Sequence, residues 1–102
     1  MNYLEEIAHQ IKAEVPGEAL PENDATDLFL LYAALLLAKG PTIAHEDIHN
    51  AWVAWISIHD DGEHESAVPF GELSAEKQAE DTPFVLAVQA VARKRQIPPP
   101  SP

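Results

Sequence analysis

Proline and glycine divide this sequence into short segments, and this division limits what the chain can form. The pairs at 16–17 and 40–41 and the triple proline at 98–100 each stop a helix, because proline lacks a backbone N–H and glycine favours turns. Between these breaks apolar residues recur every three or four positions, as on one face of an α-helix. No stretch alternates like a half-buried strand, and no internal repeat is present. The sequence predicts an all-α domain of about four to five helices.

The first two helices are predicted over residues 1–41, as an N-terminal helical pair. Asn2 and Glu5 make a capping box for the first helix, whose apolar face ends at Val15. Asn23 or Asp24 is expected to cap the second. The second helix is apolar on all sides, so we expect it at the centre of the fold or at an oligomer contact.

The remaining helices are predicted over residues 42–96, followed by a flexible Pro-rich tail at 97–102. Thr42 is expected to cap the third helix, and Ser74 a short helical turn. Pro69 lies in a segment that we expect to be extended, because proline disfavours helix at the preceding residue. Thr82 is expected to cap the last helix, with Pro83 at its first position. All parts are expected to form one compact domain.

Charge and composition limit the function. Seventeen acidic and six basic residues give a net charge of −11, which repels the phosphate backbone of a nucleic acid polymer. The sequence has no cysteine, which excludes disulfides and thiolate sites and makes the cytoplasm the expected location. The strongest apolar run, at 28–38, is shorter than the roughly 18 residues of a membrane span, so no membrane contact is expected.

The stretch at 45–49, HEDIH, has the spelling of the H-E-x-x-H motif of zinc hydrolases. Trp52 and Trp55 stand where the metzincin continuation requires glycine and histidine. A third ligand would have to come from Glu63, Glu65 or Glu72. We therefore expect no metal, no cofactor and no enzymatic activity, with histidines that pack beside the tryptophans. A zinc hydrolase is kept as a remote alternative.

Three motifs follow one another between residue 47 and about residue 92. The first is Ile48-His49-x-x-Trp52; the second contains His64, Val68, Pro69, Phe70 and Leu73; the third contains Glu76, Lys77 and Asp81. In this order they resemble the ryanodine-receptor repeat (RyR) domain family, and the whole chain is similar to small stand-alone RyR-like proteins of actinobacteria and their phages. The chain departs from that pattern at Glu65, where the family often has proline, and in a short acidic loop where the family usually has basic residues.

The resemblance implies a pocket for a nucleotide, with an aromatic ring against the base and cations on the phosphates. Trp52 would supply the ring, since an indole face stacks on a base. Lys77 and the cluster at 93–95 would replace the loop arginines of the family. Members of that family pack in tandem about a pseudo-twofold axis, which implies a homodimer for a single copy. The predicted ligand-binding residues are His49, Trp52, Trp55, Ile56, His64, Pro69, Phe70, Lys77 and Arg93.

These residues predict a non-enzymatic binding module for a small nucleotide-derived ligand, which senses or sequesters a nucleotide signal in the conflict between bacteria and phages. The alternative is a protein–protein interaction module without a small ligand, which uses the acidic surface and the apolar second helix. Each residue also has a structural alternative. Trp52 would then be a core residue. His49 and His64 would bond to each other or to a backbone carbonyl, and the segment at 69–70 would hold the chain against the core.

Overall fold

The computed structural model describes residues 2–21, 25–59 and 66–100, and every regular element within these ranges is a helix. The helices are α1 (Tyr3–Glu14), α2 (Thr26–Lys39), α3 (His45–His59), α4 (Ala75–Ala79) and α5 (Thr82–Lys94). Short 3₁₀ turns lie at Gly17–Ala19, Gly40–Thr42 and Phe70–Glu72. The predicted all-α fold is confirmed. Within the described ranges no helix combines the length and the apolarity that crossing a membrane requires.

Helix α2 lies at the centre of the fold and packs against α1, α3 and α5. Its position follows from its sequence, because a helix that is apolar all round needs neighbours on several sides. The buried side chains form one cluster to which all four long helices contribute. The largest fully buried side chains are Ile7, Ile11, Tyr32, Leu36, Ile48, Val88 and Val91. The central position predicted for the second helix is therefore confirmed.

Two of the predicted helix caps are present. The side chain of Asn2 accepts a hydrogen bond from the backbone N–H of Glu5 at 2.8 Å, at the start of α1. The hydroxyl of Ser74 accepts one from the backbone N–H of Lys77 at 3.3 Å, at the start of α4. The candidates for the cap of α2, at positions 23 and 24, lie outside the described residues.

Thr42 does not cap α3, so that prediction is wrong. Its hydroxyl donates instead to the carbonyl of Lys39 at 2.7 Å and completes the 3₁₀ turn that follows α2. At the start of α3 the capping hydrogen bond is made by the carboxylate of Asp47, which accepts from the backbone N–H of Ala44 at 2.9 Å. The same carboxylate accepts from Lys39 Nζ at 2.7 Å, so one side chain joins the end of α2 to the start of α3.

The start of α5 is shifted by one residue from the prediction. Thr82 is the first helical residue and Pro83 the second, while Asp81 holds the N-cap position. The Asp81 side chain makes no cap hydrogen bond. The Thr82 hydroxyl lies 2.9 Å from His45 Nε2, so Thr82 connects α5 to the first turn of α3 instead of capping its own helix.

The predicted extended segment is interrupted. Pro69 has extended backbone angles, with φ −53° and ψ 143°, but the next three residues form the 3₁₀ turn Phe70–Glu72.

Helix α5 ends before the triple proline. Gln96 adopts a φ of 57°, and the backbone N–H of Ile97 reaches back to the carbonyl of Ala92 at 2.9 Å. This pattern is a Schellman motif, and it packs Ile97 against the core.

Gly40 occupies a backbone conformation that only glycine adopts easily. Its φ of 56° and ψ of −138° lie in a region where a side chain is strained. A β-carbon there would also lie 2.6 Å from the carbonyl oxygen of Pro98. Gly40 therefore lets the chain after α5 pack against the turn between α2 and α3.

We expect Gly40→Ala to destabilise the fold by about 2 kcal/mol or more, because backbone strain and a backbone clash add together. Chemical denaturation measures this change. Gly17→Ala is the matched control, since a β-carbon at Gly17 meets no atom within 4 Å. Equal stability of Gly40→Ala and the wild type would contradict the described packing of Pro98.

Candidate functional site

A cleft of about 340 Å³ opens between α2, α3 and the region from α4 to the start of α5. This volume lies near the lower end of the roughly 300–1,000 Å³ that is usual for small-molecule sites. Its described lining residues are Pro21, Leu28, Tyr32, His49, Trp52, Trp55, Ser66, Leu73, Lys77, Glu80, Asp81 and Phe84. The lining is thus an apolar and aromatic surface that carries a few polar groups.

Aromatic rings form much of the cleft wall. Trp52 and Trp55 project from α3 and are only partly buried. The ring of His49 stacks against that of Trp52, with 5.9 Å between centroids and 26° between planes. On the side of the core, the rings of Tyr32 and Phe84 lie 5.7 Å apart. A flat ligand in the cleft would therefore meet aromatic surfaces from three helices.

His49 holds the segment that begins at residue 66 against α3. Its ring is buried, and Nε2 donates a hydrogen bond to the carbonyl of Val68 at 2.6 Å. Since a carbonyl only accepts, Nε2 carries the proton, and Nδ1 is the acceptor of a neutral ring. The structural role predicted for His49, a bond to a backbone carbonyl, is therefore confirmed for this residue.

Gln78 of α4 fixes the same segment from the other side. Its side-chain amide donates to the carbonyls of Phe70 at 3.0 Å and Leu73 at 3.3 Å. The ring of Phe70 packs against both His45 and His49, at centroid distances of 6.4 and 6.0 Å. These contacts support the wall of the cleft from behind, because Phe70 itself does not line it.

Asp81 is the unusual polar group of the cleft. Its Oδ2 atom is shielded from solvent and has no hydrogen-bond partner among the described residues. Burial raises the pKa of the Asp81 carboxyl; nearby His49 and His45 act in the opposite direction, and the charge of Glu80 adds to the rise. A shielded acceptor without a partner is destabilising, and such groups are often found at functional sites.

Tyr32 is the second buried polar group next to the cleft. The residue is 2% exposed, and burial together with the Asp81 charge raises the pKa of its phenol. The hydroxyl is therefore neutral at any physiological pH and remains able to donate a hydrogen bond.

Lys77 is the only cation among the described residues that line the cleft. Its Nζ lies 3.9 Å from a carboxylate oxygen of Glu80, and both side chains are about half-exposed or more. With Glu80 and Asp81 beside it, the described part of the lining carries two carboxylates for one ammonium group. The cleft therefore offers little attraction to a phosphate.

The predicted site residues divide into two groups. His49, Trp52, Trp55 and Lys77 line the cleft together. The others described, Ile56, Pro69, Phe70 and Arg93, are not part of its lining, and His64 lies outside the described residues. Pro69 and Phe70 are displaced because the turn at Phe70–Glu72 directs Leu73, and not Phe70, to the cleft.

Arg93 lies far from the cleft for a simple geometric reason. It follows Phe84 by nine residues on α5, which is roughly 14 Å along a helix axis. This end of α5 faces α1, where Lys94 contacts Glu14 and the Arg95 guanidinium lies 5.4 Å from the centroid of the Tyr3 ring. The predicted use of the 93–95 cluster at the ligand site is therefore corrected.

The HEDIH motif uses its two histidines for packing. His45 Nε2 is 2.9 Å from the Thr82 hydroxyl, and His49 Nε2 bonds to a backbone carbonyl. Across the described ranges, no group of three or more His, Cys, Asp or Glu side chains could hold a metal ion. Two of the proposed third ligands, Glu63 and Glu65, fall outside those ranges, and Glu72 is exposed.

A family described as a domain of unknown function (DUF7701) matches residues 2–93. The chain belongs to this family. The matched range contains every residue that lines the cleft, so the cleft lies within the family's domain. No curated protein and no solved structure matches the chain.

Sequence reasoning missed Tyr32, Asp81 and Phe84 as parts of the cleft. Asp81 was named in the third motif, but it was not among the predicted ligand-binding residues. Tyr32 carried a signal, because it holds the only side-chain polar atom between Thr26-Asp27 and Lys39 in an otherwise apolar helix. A lone hydroxyl in such a helix needs a polar environment, and the cleft provides one.

We expect Asp81→Asn to raise the thermal midpoint by a few degrees at pH 7. Folding raises the pKa of the Asp81 carboxyl. Its contribution to the stability of the fold is therefore complete below its unfolded pKa and is lost as pH rises through its folded pKa. The difference between variant and wild type should therefore shrink toward pH 4, as measured by thermal unfolding from pH 4 to 8. Asp27→Asn is the control, because that carboxylate is exposed. A thermal midpoint of Asp81→Asn that falls further and further below that of the wild type above pH 5 would contradict the burial of Asp81.

Proposed function

We propose that this chain is a non-enzymatic binding module for a small nucleotide-derived ligand, and that the cleft is its binding site. Such a module suits a protein that senses or sequesters a nucleotide signal, such as those exchanged in conflict between bacteria and phages. The resemblance to RyR domains supports this proposal, since His49, Trp52 and Lys77 belong to the resembling motifs and all line the cleft.

The observation that carries the proposal is the aromatic lining. Both tryptophans of the chain line one cleft, with Tyr32 and Phe84 across from them. Stacking of a base on an aromatic ring contributes about 1 to 3 kcal/mol and needs only a flat π-surface. Trp52 and Trp55 both remain partly exposed.

The charges of the lining indicate which part of the ligand is held. Lys77 is balanced by Glu80, and Asp81 adds a further carboxylate. Phosphate groups would therefore gain little from the cleft, and the base with its ribose would supply most of the binding energy. We expect the phosphates of a nucleotide ligand to extend toward solvent past Lys77.

We predict that isothermal titration calorimetry detects binding of at least one member of a panel of nucleosides, cyclic nucleotides and ADP-ribose derivatives. Trp52→Ala should weaken that binding about 5- to 100-fold, because it removes one stacking surface. Leu86→Ala is the matched control, as Leu86 is an exposed apolar residue outside the cleft. Absence of heat with every compound, from a wild-type protein that unfolds cooperatively, would overturn the proposal.

A protein–protein interaction module without a small ligand is the second candidate, and self-association into a homodimer is the contact tested first. Exposed apolar side chains favour it: Ile58 of α3 is 75% exposed and Leu86 of α5 is 58% exposed. Such residues are common singly on soluble proteins, so their effect on assembly has to be measured.

Sedimentation equilibrium tests this candidate. A homodimer would give twice the chain mass of 11.2 kDa, and Leu86→Ser or Ile58→Ser should then restore the monomer. Asn50→Ser, at an exposed polar position of α3, is the control. A wild-type protein that stays monomeric at the highest soluble concentration would exclude the homodimer.

A further inference from the structure

Negative charge exceeds positive charge in the described lining of the cleft. Glu80 and Asp81 bring two carboxylates against the single ammonium group of Lys77. The hydroxyls of Tyr32 and Ser66 and the indole N–H groups are polar but uncharged, so they do not alter this balance. The whole chain has a net charge of −11, so the field around the cleft has the same sign. A positively charged ligand is therefore attracted to the cleft.

The Asp81 carboxylate attracts such a ligand without touching it. Its Oδ2 atom is shielded from solvent, so a ligand in the cleft makes no hydrogen bond to that atom. Coulomb attraction acts across the intervening protein, where the effective dielectric constant is lower than in water. Burial raises the pKa of this carboxyl because it disfavours the charged form, and a positive charge nearby offsets that penalty.

The aromatic wall favours the same sign of charge. The face of an aromatic ring carries negative charge density, and tryptophan attracts cations more strongly than the other aromatic residues do. Trp52 and Trp55 line the cleft, with Tyr32 and Phe84 on the side of the core. A flat cationic heterocycle gains the stacking energy that any base gains, and cation–π attraction adds to it. An uncharged base gains only the stacking energy.

Resting on the proposed nucleotide-binding function, we propose that the cleft selects a nucleoside whose heterocycle is positively charged, such as an N-alkylated purine or a pyridinium, over its uncharged counterpart. The heterocycle lies against the tryptophans, within the field of Glu80 and Asp81. The selection depends on the charge of the ring and not on the hydrogen-bonding edge of the base.

Two matched pairs of nucleosides test this selection by calorimetry at pH 7.5, where an ordinary histidine is mostly neutral. In the first pair, 1-methyladenosine is cationic and its isomer N6-methyladenosine is uncharged. In the second, nicotinamide riboside is cationic and its reduced form is uncharged. We expect the cation of each pair to bind about 3- to 30-fold more tightly, and added salt should reduce this ratio because it screens the charges.

Substitutions at exposed positions separate charge from packing. Glu80→Gln should weaken binding of the cations about 2- to 5-fold, and Lys77→Gln should strengthen it by a similar factor. Neither should change the affinity of the uncharged compounds by more than about twofold. Glu76→Gln is the matched control, because Glu76 is an exposed glutamate of α4 that does not line the cleft.

The outcomes separate the selection from the function on which it rests. If the members of each pair bind equally, or the uncharged one binds more tightly, the charge selection is overturned while nucleotide binding stands. A preference for the cation in only one pair also overturns it, since a contact specific to that base would be responsible. So does a shift of the cations in the same direction by Glu80→Gln and Lys77→Gln. If none of the four compounds binds, the selection is overturned, and the wider panel then decides the proposed function.

Discussion

Helix α2 carries apolar side chains around its whole circumference, and the rest of the fold depends on covering them. Helices α1, α3 and α5 each pack against it, and one continuous core results. Short connections hold this arrangement, above all the Asp47 carboxylate between α2 and α3 and the turn at Gly40. The cleft lies beside α2, between α3 and the region from α4 to the start of α5.

The cleft exists because polar contacts support its outer wall. His49 bonds to the Val68 carbonyl and Gln78 to the carbonyls of Phe70 and Leu73, so the non-helical segment is held away from Tyr32 and Phe84 instead of collapsing onto them. The position of Asp81 fits the same picture. Its shielded carboxylate opposes stability, as groups placed for a ligand often do.

Apolar periodicity predicted the helices well, because each long helix buries one or more faces and the burial leaves a regular pattern in the sequence. It also placed Trp52 and Trp55 on one face of α3, while His49 was predicted at the site through the resemblance to RyR domains; all three line the cleft. Capping was predicted less well: Thr42 and Asp47 are both able to cap, and which one does depends on the turn before α3. The cleft residues Tyr32 and Asp81 could not be placed, because their meeting depends on how α5 packs beside α2. The packing of α5 also brings Lys94 against α1, so the end of α5 that carries Arg93 lies outside the site.

The most direct test of the cleft as a nucleotide site is an NMR titration that follows the indole N–H signals of the labelled protein. The chain has two tryptophans, and both line the cleft, so the two signals report on it alone. Addition of the compound that binds most tightly in the calorimetric panel should move both indole signals in a saturable manner, while the backbone signals around Leu86 stay in place. Indole signals that remain unmoved at millimolar nucleotide, or shifts confined to the surface around Leu86, would contradict the assignment of the cleft.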